Sequence, residues 1–139
     1  AECLHRFGAT ACTDLTGFGL LGHLVEMTRP SEVDATIYLS ALPVLAGAKE
    51  TVAAGILSSL QPANVRLRRA IRNAEVMVNH PCYPLIFDPQ TAGGLLASVA
   101  PDQADDCARE LVALGYRHTC VIGKIFPKSD ELEPITLRD

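Results

Sequence analysis

The residues best suited to chemistry lie in two glycine-containing segments. The first, residues 13–24, reads T-D-L-T-G-F-G-L-L-G-H-L and has one carboxylate, Asp14, ahead of two closely spaced glycines. A predicted strand leads into it, and an aliphatic stripe of helical period follows. Backbone N–H groups at a helix start bind anions, and Mg²⁺ binds a carboxylate beside phosphate oxygens. Asp14 is therefore a candidate magnesium ligand. The alternative, which spacing alone favours, is that its carboxylate satisfies backbone N–H groups in the turn.

The start of the helix after Asp14 has its own signal. Thr16 is the predicted N-cap, because its hydroxyl can accept a hydrogen bond from a backbone N–H two or three residues later. Gly17 and Gly19 allow positive φ or a close approach of the backbone to a partner.

The second segment, residues 88–96, reads D-P-Q-T-A-G-G-L-L. Asp88 followed by proline favours a turn, and Gln90 and Thr91 supply hydrogen-bond donors. Gly93 and Gly94 remove side-chain bulk before a predicted buried strand. Taken alone, the segment is more typical of a tight loop between strands with a capping aspartate.

The remaining polar residues give weaker signals. Arg66, Arg68, Arg69 and Arg72 lie away from an apolar stripe; arginines can clamp phosphates, but the solvated face of an amphipathic helix is the more common role. His23 is expected to be structural. The five cysteines are odd in number and include no C-x-x-C pair, so neither a disulfide framework nor a structural zinc site is expected. We expect the thiols to be small buried hydrophobes.

The elements that must position these residues follow from hydrophobic periodicity. A loop is predicted over 58–64. The predicted strand over 33–39 alternates apolar and polar residues and should be half-buried. The order of elements indicates a single α+β domain over residues 1–139, with α/β as the alternative, built on one mixed β-sheet covered by helices. Helices are predicted over 18–29, 48–54, 67–78 and 101–114, and strands over 9–12, 33–39, 85–87, 95–100, 120–126 and 135–137.

Composition restricts the possible functions. The 139 residues are 48% hydrophobic and 20% charged, as in ordinary globular domains. No apolar run approaches the roughly 18–20 residues that cross a bilayer. The net charge of −4 argues against nucleic-acid or anionic-membrane partners, and a reducing cytoplasm is the expected setting. Because the chain opens at Ala1 in what resembles a helix end, we expect it to come from a longer protein.

The two segments together closely resemble the hallmark segments of selenophosphate synthetases (selenide, water dikinases). Their order and separation match the C-terminal half of that family, and G-A-T-A-C at residues 8–12 fits as well. The resemblance covers essentially the whole chain. It implies the α+β C-terminal domain of the aminoimidazole ribonucleotide synthetase-like superfamily, with the N-terminal ATP-binding domain absent.

The family's reaction takes selenide, ATP and water to selenophosphate, AMP and phosphate, with Mg²⁺. Asp14 matches the family's magnesium-binding aspartate. The resemblance implies that eight further residues shape the loops near the phosphates: Thr13, Thr16, Gly17, Asp88, Gln90, Thr91, Gly93 and Gly94. No catalytic residue is expected within these 139 residues, since the reactive Cys or selenocysteine belongs to the N-terminal domain. The isolated domain is expected to be inactive, and the full-length protein a homodimer.

Two departures from the family pattern stand out. Ala92-Gly93-Gly94 replaces the common S-G-G, a small change that preserves the turn. Residues 55–64, G-I-L-S-S-L-Q-P-A-N, replace a common G-G-T-x-x-N segment; this resembles the variant in members fused to a flavin-type oxidoreductase. Two other hypotheses stay open: a non-catalytic binding module, and another synthetase or kinase of the superfamily.

Overall fold

A computed structural model describes all residues, 1–139, as an α+β domain with two separate sheets. The fold class is as predicted, but the strands do not form one sheet. No helix is both long enough and apolar enough to cross a bilayer. The helices are α1 (Glu2–Arg6), α2 (Gly19–Thr28), α3 (Ala48–Ala53), α4 (Gln61–Asn64), α5 (Ala74–Met77) and α6 (Ala104–Ala113), and the strands are β1 (Ala11–Asp14), β2 (Val33–Tyr38), β3 (Leu95–Ser98), β4 (Gly123–Pro127) and β5 (Ile135–Arg138).

The first sheet is a two-stranded antiparallel ribbon of β1 and β3. Its register pairs Ala11 with Ser98 and Asp14 with Leu95. A small apolar cluster of Cys3, Leu4 and Cys107, from α1 and α6, packs against residues of β3. The ribbon is thus supported at one end by helices, while its other end carries the two glycine-containing segments.

The second sheet is mixed, with strand order β4-β2-β5. Strand β2 is antiparallel to β4 and parallel to β5. The four central residues of β2 are all buried, so its predicted half-burial is wrong. The two polar residues among them, Asp34 and Thr36, lie inside because both faces of this central strand are covered.

The main core fills the space between the mixed sheet, α2 and the turns that follow α4. It includes Leu21, Leu39, Phe87, Ile135 and Leu137, each at most 2% exposed. Helix α2 contributes its aliphatic stripe, as its period predicted. Because the same helix starts at the first glycine segment, the core fixes the position of that segment.

The predicted helix over 67–78 is wrong. Residues Val65–Ala70 form a 3₁₀ helix, and Ile71 is extended and bridges Ile135 of β5. The backbone N–H of Arg72 donates to the carbonyl of Ile135 at 2.9 Å. Pairing with the sheet therefore overrides local helical periodicity, and only the short α5 remains.

The predicted strand over 85–87 is also wrong. Pro84–Phe87 is a 3₁₀ turn, in which proline occupies an early position that needs no N–H donor. The predicted loop over 58–64 ends in the short helix α4. The predicted strand after Gly94 forms as β3, but its predicted burial is wrong, since Leu95 is exposed and the rest of the strand is half-buried. Other elements agree with prediction apart from their ends; α6, for example, begins at Ala104 rather than at Pro101.

Three of the five cysteines are buried as expected, namely Cys3, Cys82 and Cys107. Burial raises the pKa of the Cys107 thiol, which favours its protonated form. Cys12 and Cys120 are exposed, contrary to the expectation of burial.

Candidate functional site

The two glycine-containing segments, distant in sequence, meet at one end of the ribbon. Beyond the last paired residues, the N–H of Leu15 donates to the carbonyl of Gly94 at 2.9 Å. The N–H of Gln90 then donates to the carbonyl of Thr16 at 3.0 Å. The first segment is therefore held along the second by main-chain hydrogen bonds, and they form one continuous surface.

Two glycines make this close approach possible. A Cβ at Gly93 would lie 2.2 Å from the carbonyl oxygen of Leu15, closer than any side chain allows. Gly19 has φ of +68°, and a Cβ there would lie 2.9 Å from the carbonyl carbon of Phe87. Glycine is thus required at both positions by sterics, and at Gly19 also by its left-handed backbone.

The side chain of Asn64 connects the first segment to the residue that precedes the second segment. Its Nδ2 donates to the carbonyl of Gly17 at 2.8 Å and to that of Phe87 at 3.0 Å. Asn64 is 6% exposed, so both hydrogen bonds are shielded from water. This role of Asn64 was not predicted, because the predicted loop over 58–64 did not imply burial of its last residue.

Thr16 does not cap α2 as predicted, since the helix starts at Gly19 with no side-chain cap. Instead, the backbone N–H of Thr16 donates to Nε2 of His23 at 3.0 Å, and its hydroxyl lies 3.0 Å from the same nitrogen. Nε2 must therefore accept, which places the proton of the neutral ring on Nδ1. Nδ1 lies 3.2 Å from Oε2 of Glu26 but has no hydrogen-bond partner. The buried histidine holds the turn before α2 through its contacts with Thr16, in agreement with the structural role expected for it.

Asp14 is the exposed carboxylate of this surface. In β1, exposed residues alternate with half-buried ones, and Asp14 and Cys12 share the exposed face. The Asp14 carboxylate makes no hydrogen bond or salt bridge within the chain, although the Thr13 hydroxyl donates to its main-chain carbonyl at 3.3 Å. It does not satisfy turn N–H groups, so the turn role that spacing alone favours is not observed.

The donor set fits a partial magnesium site. No group of three or more His, Cys, Asp and Glu residues in the chain could hold a metal ion. Mg²⁺ needs only one or two protein carboxylates where phosphates and water complete its shell. Asp14 could supply one such carboxylate, with the remaining ligands coming from elsewhere.

The second segment contributes polar groups around a turn. Asp88 is half-buried, and Nε2 of Gln90 donates to its main-chain carbonyl at 3.2 Å and lies 3.5 Å from its Oδ2. Thr91 is exposed, as are Gly93 and Gly94. The structure therefore brings the predicted loop residues into one neighbourhood, and it gives Asp88 a local partner that Asp14 lacks.

The arginines divide into two groups. Arg66, Arg68 and Arg69 are exposed on the 3₁₀ helix after Asn64. Arg72 instead pairs with buried Asp34 of β2, with Nη2 2.5 Å from Oδ2, and also donates to Ser129 Oγ at 2.8 Å. Burial alone would raise the pKa of the Asp34 carboxyl, but hydrogen bonds from Ser129 and Arg72 outweigh it and lower that pKa to about 2. Arg72 thus stabilises the sheet and is not available to a ligand.

Comparison with protein families identifies the class. The model for AIR synthase related protein, C-terminal domain, matches residues 1–133. The match covers nearly the whole chain and both glycine-containing segments. The chain belongs to this family.

Individual relatives are more specific than the family model, and they bear out the resemblance to selenophosphate synthetases. The chain is 33% identical over 135 residues to selenide, water dikinase from Clostridioides difficile, covering 94% of this chain and 38% of the relative. It is 37% identical over 129 residues to selenide, water dikinase from Burkholderia orbicola, covering 90% and 35%. Selenide, water dikinase 2 from Peptoclostridium acidaminophilum is 31% identical over 134 residues, covering 94% and 38%. The chain therefore spans little more than a third of the length of these relatives.

Proposed function

We propose that this chain is the C-terminal domain of a selenide, water dikinase, which makes selenophosphate, AMP and phosphate from selenide, ATP and water. The similarity to three enzymes of that name supports the proposal. The observation that carries the site is the meeting of two distant segments around a carboxylate, Asp14, that has no partner within the chain.

In this proposal the chain contributes one wall of a phosphoryl-transfer site. Bound Mg²⁺ would neutralise charge on the ATP phosphates. Asp14 would hold the metal, and the exposed glycine loops at residues 17 and 93–94 would leave the phosphates room beside the main chain. The ATP-binding domain and the reactive Cys or selenocysteine would belong to another part of a longer, homodimeric cytoplasmic protein, so residues 1–139 alone are expected to be inactive.

The first experiment assays the complete natural protein for selenophosphate by phosphorus NMR, with and without selenide. Selenide-dependent formation of selenophosphate and AMP is the expected result. ATP turnover that ignores selenide, or a different phosphorylated product, would contradict the proposed reaction and favour another enzyme of the superfamily. The absence of both ATP binding and turnover would favour a binding module.

The second experiment tests the role of Asp14 in the same protein. Asp14→Asn should lower the rate of selenophosphate formation at least about 100-fold and raise the Mg²⁺ concentration needed for half-maximal rate, because an amide binds Mg²⁺ more weakly than a carboxylate. Asp102→Asn is the matched control, since Asp102 is also exposed but follows the other end of β3. Near-normal activity of Asp14→Asn with an unchanged Mg²⁺ requirement would remove Asp14 from the metal site.

A further inference from the structure

We infer that Asn64 is a positioning residue of this site, which fixes the loop of Asp14 against the segment of Asp88 without touching substrate. The consequence for turnover rests on the proposed function. The positioning itself can be tested separately in residues 1–139.

The Asn64 amide divides its two donors between the two segments. One hydrogen bond goes to Gly17, three residues after Asp14, and the other goes to Phe87, immediately before Asp88. Neither carbonyl accepts a main-chain hydrogen bond. The Asn64 amide is therefore the protein donor that satisfies both.

The position of Gly17 explains why this matters for Asp14. Leu15 and Thr16 are each tied to the second segment by one main-chain hydrogen bond, and the next attachment of the chain is the Gly17 carbonyl. Without the Asn64 amide, the three-residue stretch after the carboxylate would lose its last anchor before α2. A shift of about 1 Å in a group that positions substrate can cost about 100-fold in rate.

Gln61 offers a control within the same short helix. Its Nε2 donates to the carbonyl of Pro84 at 2.7 Å, and the residue is 2% exposed. Both side chains are buried amides that donate to main-chain carbonyls. Only Asn64 reaches the segment of Asp14. Comparing variants of Asn64 and Gln61 therefore distinguishes a positioning role from a purely structural one.

The experiment compares two isosteric pairs, Asn64→Asp with Gln61→Glu and Asn64→Leu with Gln61→Met. The acidic pair removes the donors at constant shape, and the apolar pair does so without adding a buried charge. All variants should unfold at lower urea concentration than the parent, because each loses buried hydrogen bonds. The Asn64 variants should lose somewhat more stability than their Gln61 partners, since Asn64 donates two such bonds and Gln61 one.

The first readout is amide hydrogen exchange in residues 1–139. Both Asn64 variants should increase exchange at Leu15 and Thr16 at least about tenfold relative to the matched Gln61 variants. Both N–H groups keep their own hydrogen bonds, to Gly94 and His23, but the stretch that carries them loses its anchor at Gly17 and should open more often. The second readout is the full-length protein, in which only the Asn64 variants should lower kcat by about 10–100-fold and raise the Mg²⁺ requirement.

Equal exchange and equal kcat in the Asn64 and Gln61 variants would overturn the inference. Faster exchange at residues 15–16 in an Asn64 variant, with parental kcat and Mg²⁺ requirement, would also overturn its role in turnover. A parent protein that makes no selenophosphate would contradict the proposed function instead, while the exchange result would still decide whether Asn64 positions the loop.

Discussion

The mixed sheet and the ribbon each contain an aspartate, and the two carboxylates differ in burial and in hydrogen bonding. In the mixed sheet, Asp34 is buried, receives the Ser129 N–H at 2.9 Å and pairs with Arg72. In the ribbon, Asp14 ends an exposed strand and has no partner for its carboxylate. The sheet uses the Asp34 carboxylate in a buried ion pair, whereas the segments around Asp14 are held by main-chain hydrogen bonds, a close glycine contact and the side chains of Asn64 and His23, and Asp14 takes no part.

This difference assigns stability of the fold to the Asp34 pair and leaves Asp14 for the proposed metal site. A carboxylate already satisfied inside the protein has little capacity to bind a metal, while an unpaired one on a rigid support is ready to do so. Because the ribbon is anchored through Gly93, Asn64 and His23, Asp14 is free of any structural task. Substitutions in the two regions should therefore affect different properties.

The largest effect on stability is expected from Arg72→Met. It leaves the buried Asp34 charge without its cation, so the free energy of unfolding should fall by about 3 kcal/mol. Arg69→Met is the control, because Arg69 is exposed on the preceding 3₁₀ helix and should change stability by less than about 0.5 kcal/mol. Urea unfolding measures both, and similar costs for the two variants would show that the ion pair does not stabilise the sheet.

The next effect tests the backbone contact of the ribbon. Gly93→Ala places a methyl group against the Leu15 carbonyl and should cost about 2 to 3 kcal/mol. At Gly94 a Cβ would meet no atom within 4 Å, so Gly94→Ala should change stability by less than about 0.5 kcal/mol. Thermal unfolding of these neighbouring variants compares them directly, and equal midpoints would mean that the two segments do not approach as described.

Acid should weaken the sheet through Asp34. Its folded pKa of about 2 lies below the ordinary value of 3.8 for an aspartate, so its ionised form stabilises the fold above pH 4. That contribution, at most about 2 kcal/mol, is lost as the pH falls from about 4 to 2. Unfolding free energies at pH 5 and pH 2.5 should differ less in Asp34→Asn than in the parent, and an unchanged difference would assign the acid sensitivity to other groups.

The smallest effect on stability is expected at Asp14. Asp14→Asn should leave the unfolding free energy of residues 1–139 within about 0.5 kcal/mol of the parent, because its carboxylate has no partner to lose. Urea unfolding at pH 7 measures this change. A loss of more than 1 kcal/mol would mean that Asp14 has a structural role that its contacts do not reveal.

Much of the fold could be predicted from periodicity. The stripes of α2 and α6 and the apolar–polar alternation of β2 are local signals that tertiary packing reinforced. The predictions over 67–78 and 85–87 failed because the backbone there is not set by local periodicity. Over 67–78 a distant strand pairs with the chain, and over 85–87 a turn that starts at Pro84 replaces the strand. Ile71, for example, is extended because β5 pairs with it, and β5 lies far along the chain.

The two glycine-containing segments of the candidate site could be identified in the sequence, but the contacts that hold them in place could not. Asp14 and the glycines stand in motifs that, taken alone, favoured turns, and the ligand role came from their joint resemblance to the segments of selenophosphate synthetases. Asn64 acts through burial and through hydrogen bonds to main-chain groups, which periodicity does not reveal. His23 was expected to be structural, but its partner Thr16 was not predicted. Thr16 failed as a cap because the buried His23 ring accepts its N–H and positions the turn before the helix starts.

The strand pairing also determines when the carboxylate acquires its position during synthesis. Asp14 is made early, yet its ribbon partner β3 ends at Ser98, and β5 of the supporting sheet ends at Arg138. A two-stranded ribbon is marginal alone, so it needs the core that β5 completes. Pairings this remote in sequence also fold slowly. The edge that carries Asp14 should therefore be among the last parts of the domain to become ordered, and a ribosome stalled before residue 135 would hold a chain in which this edge is not yet formed.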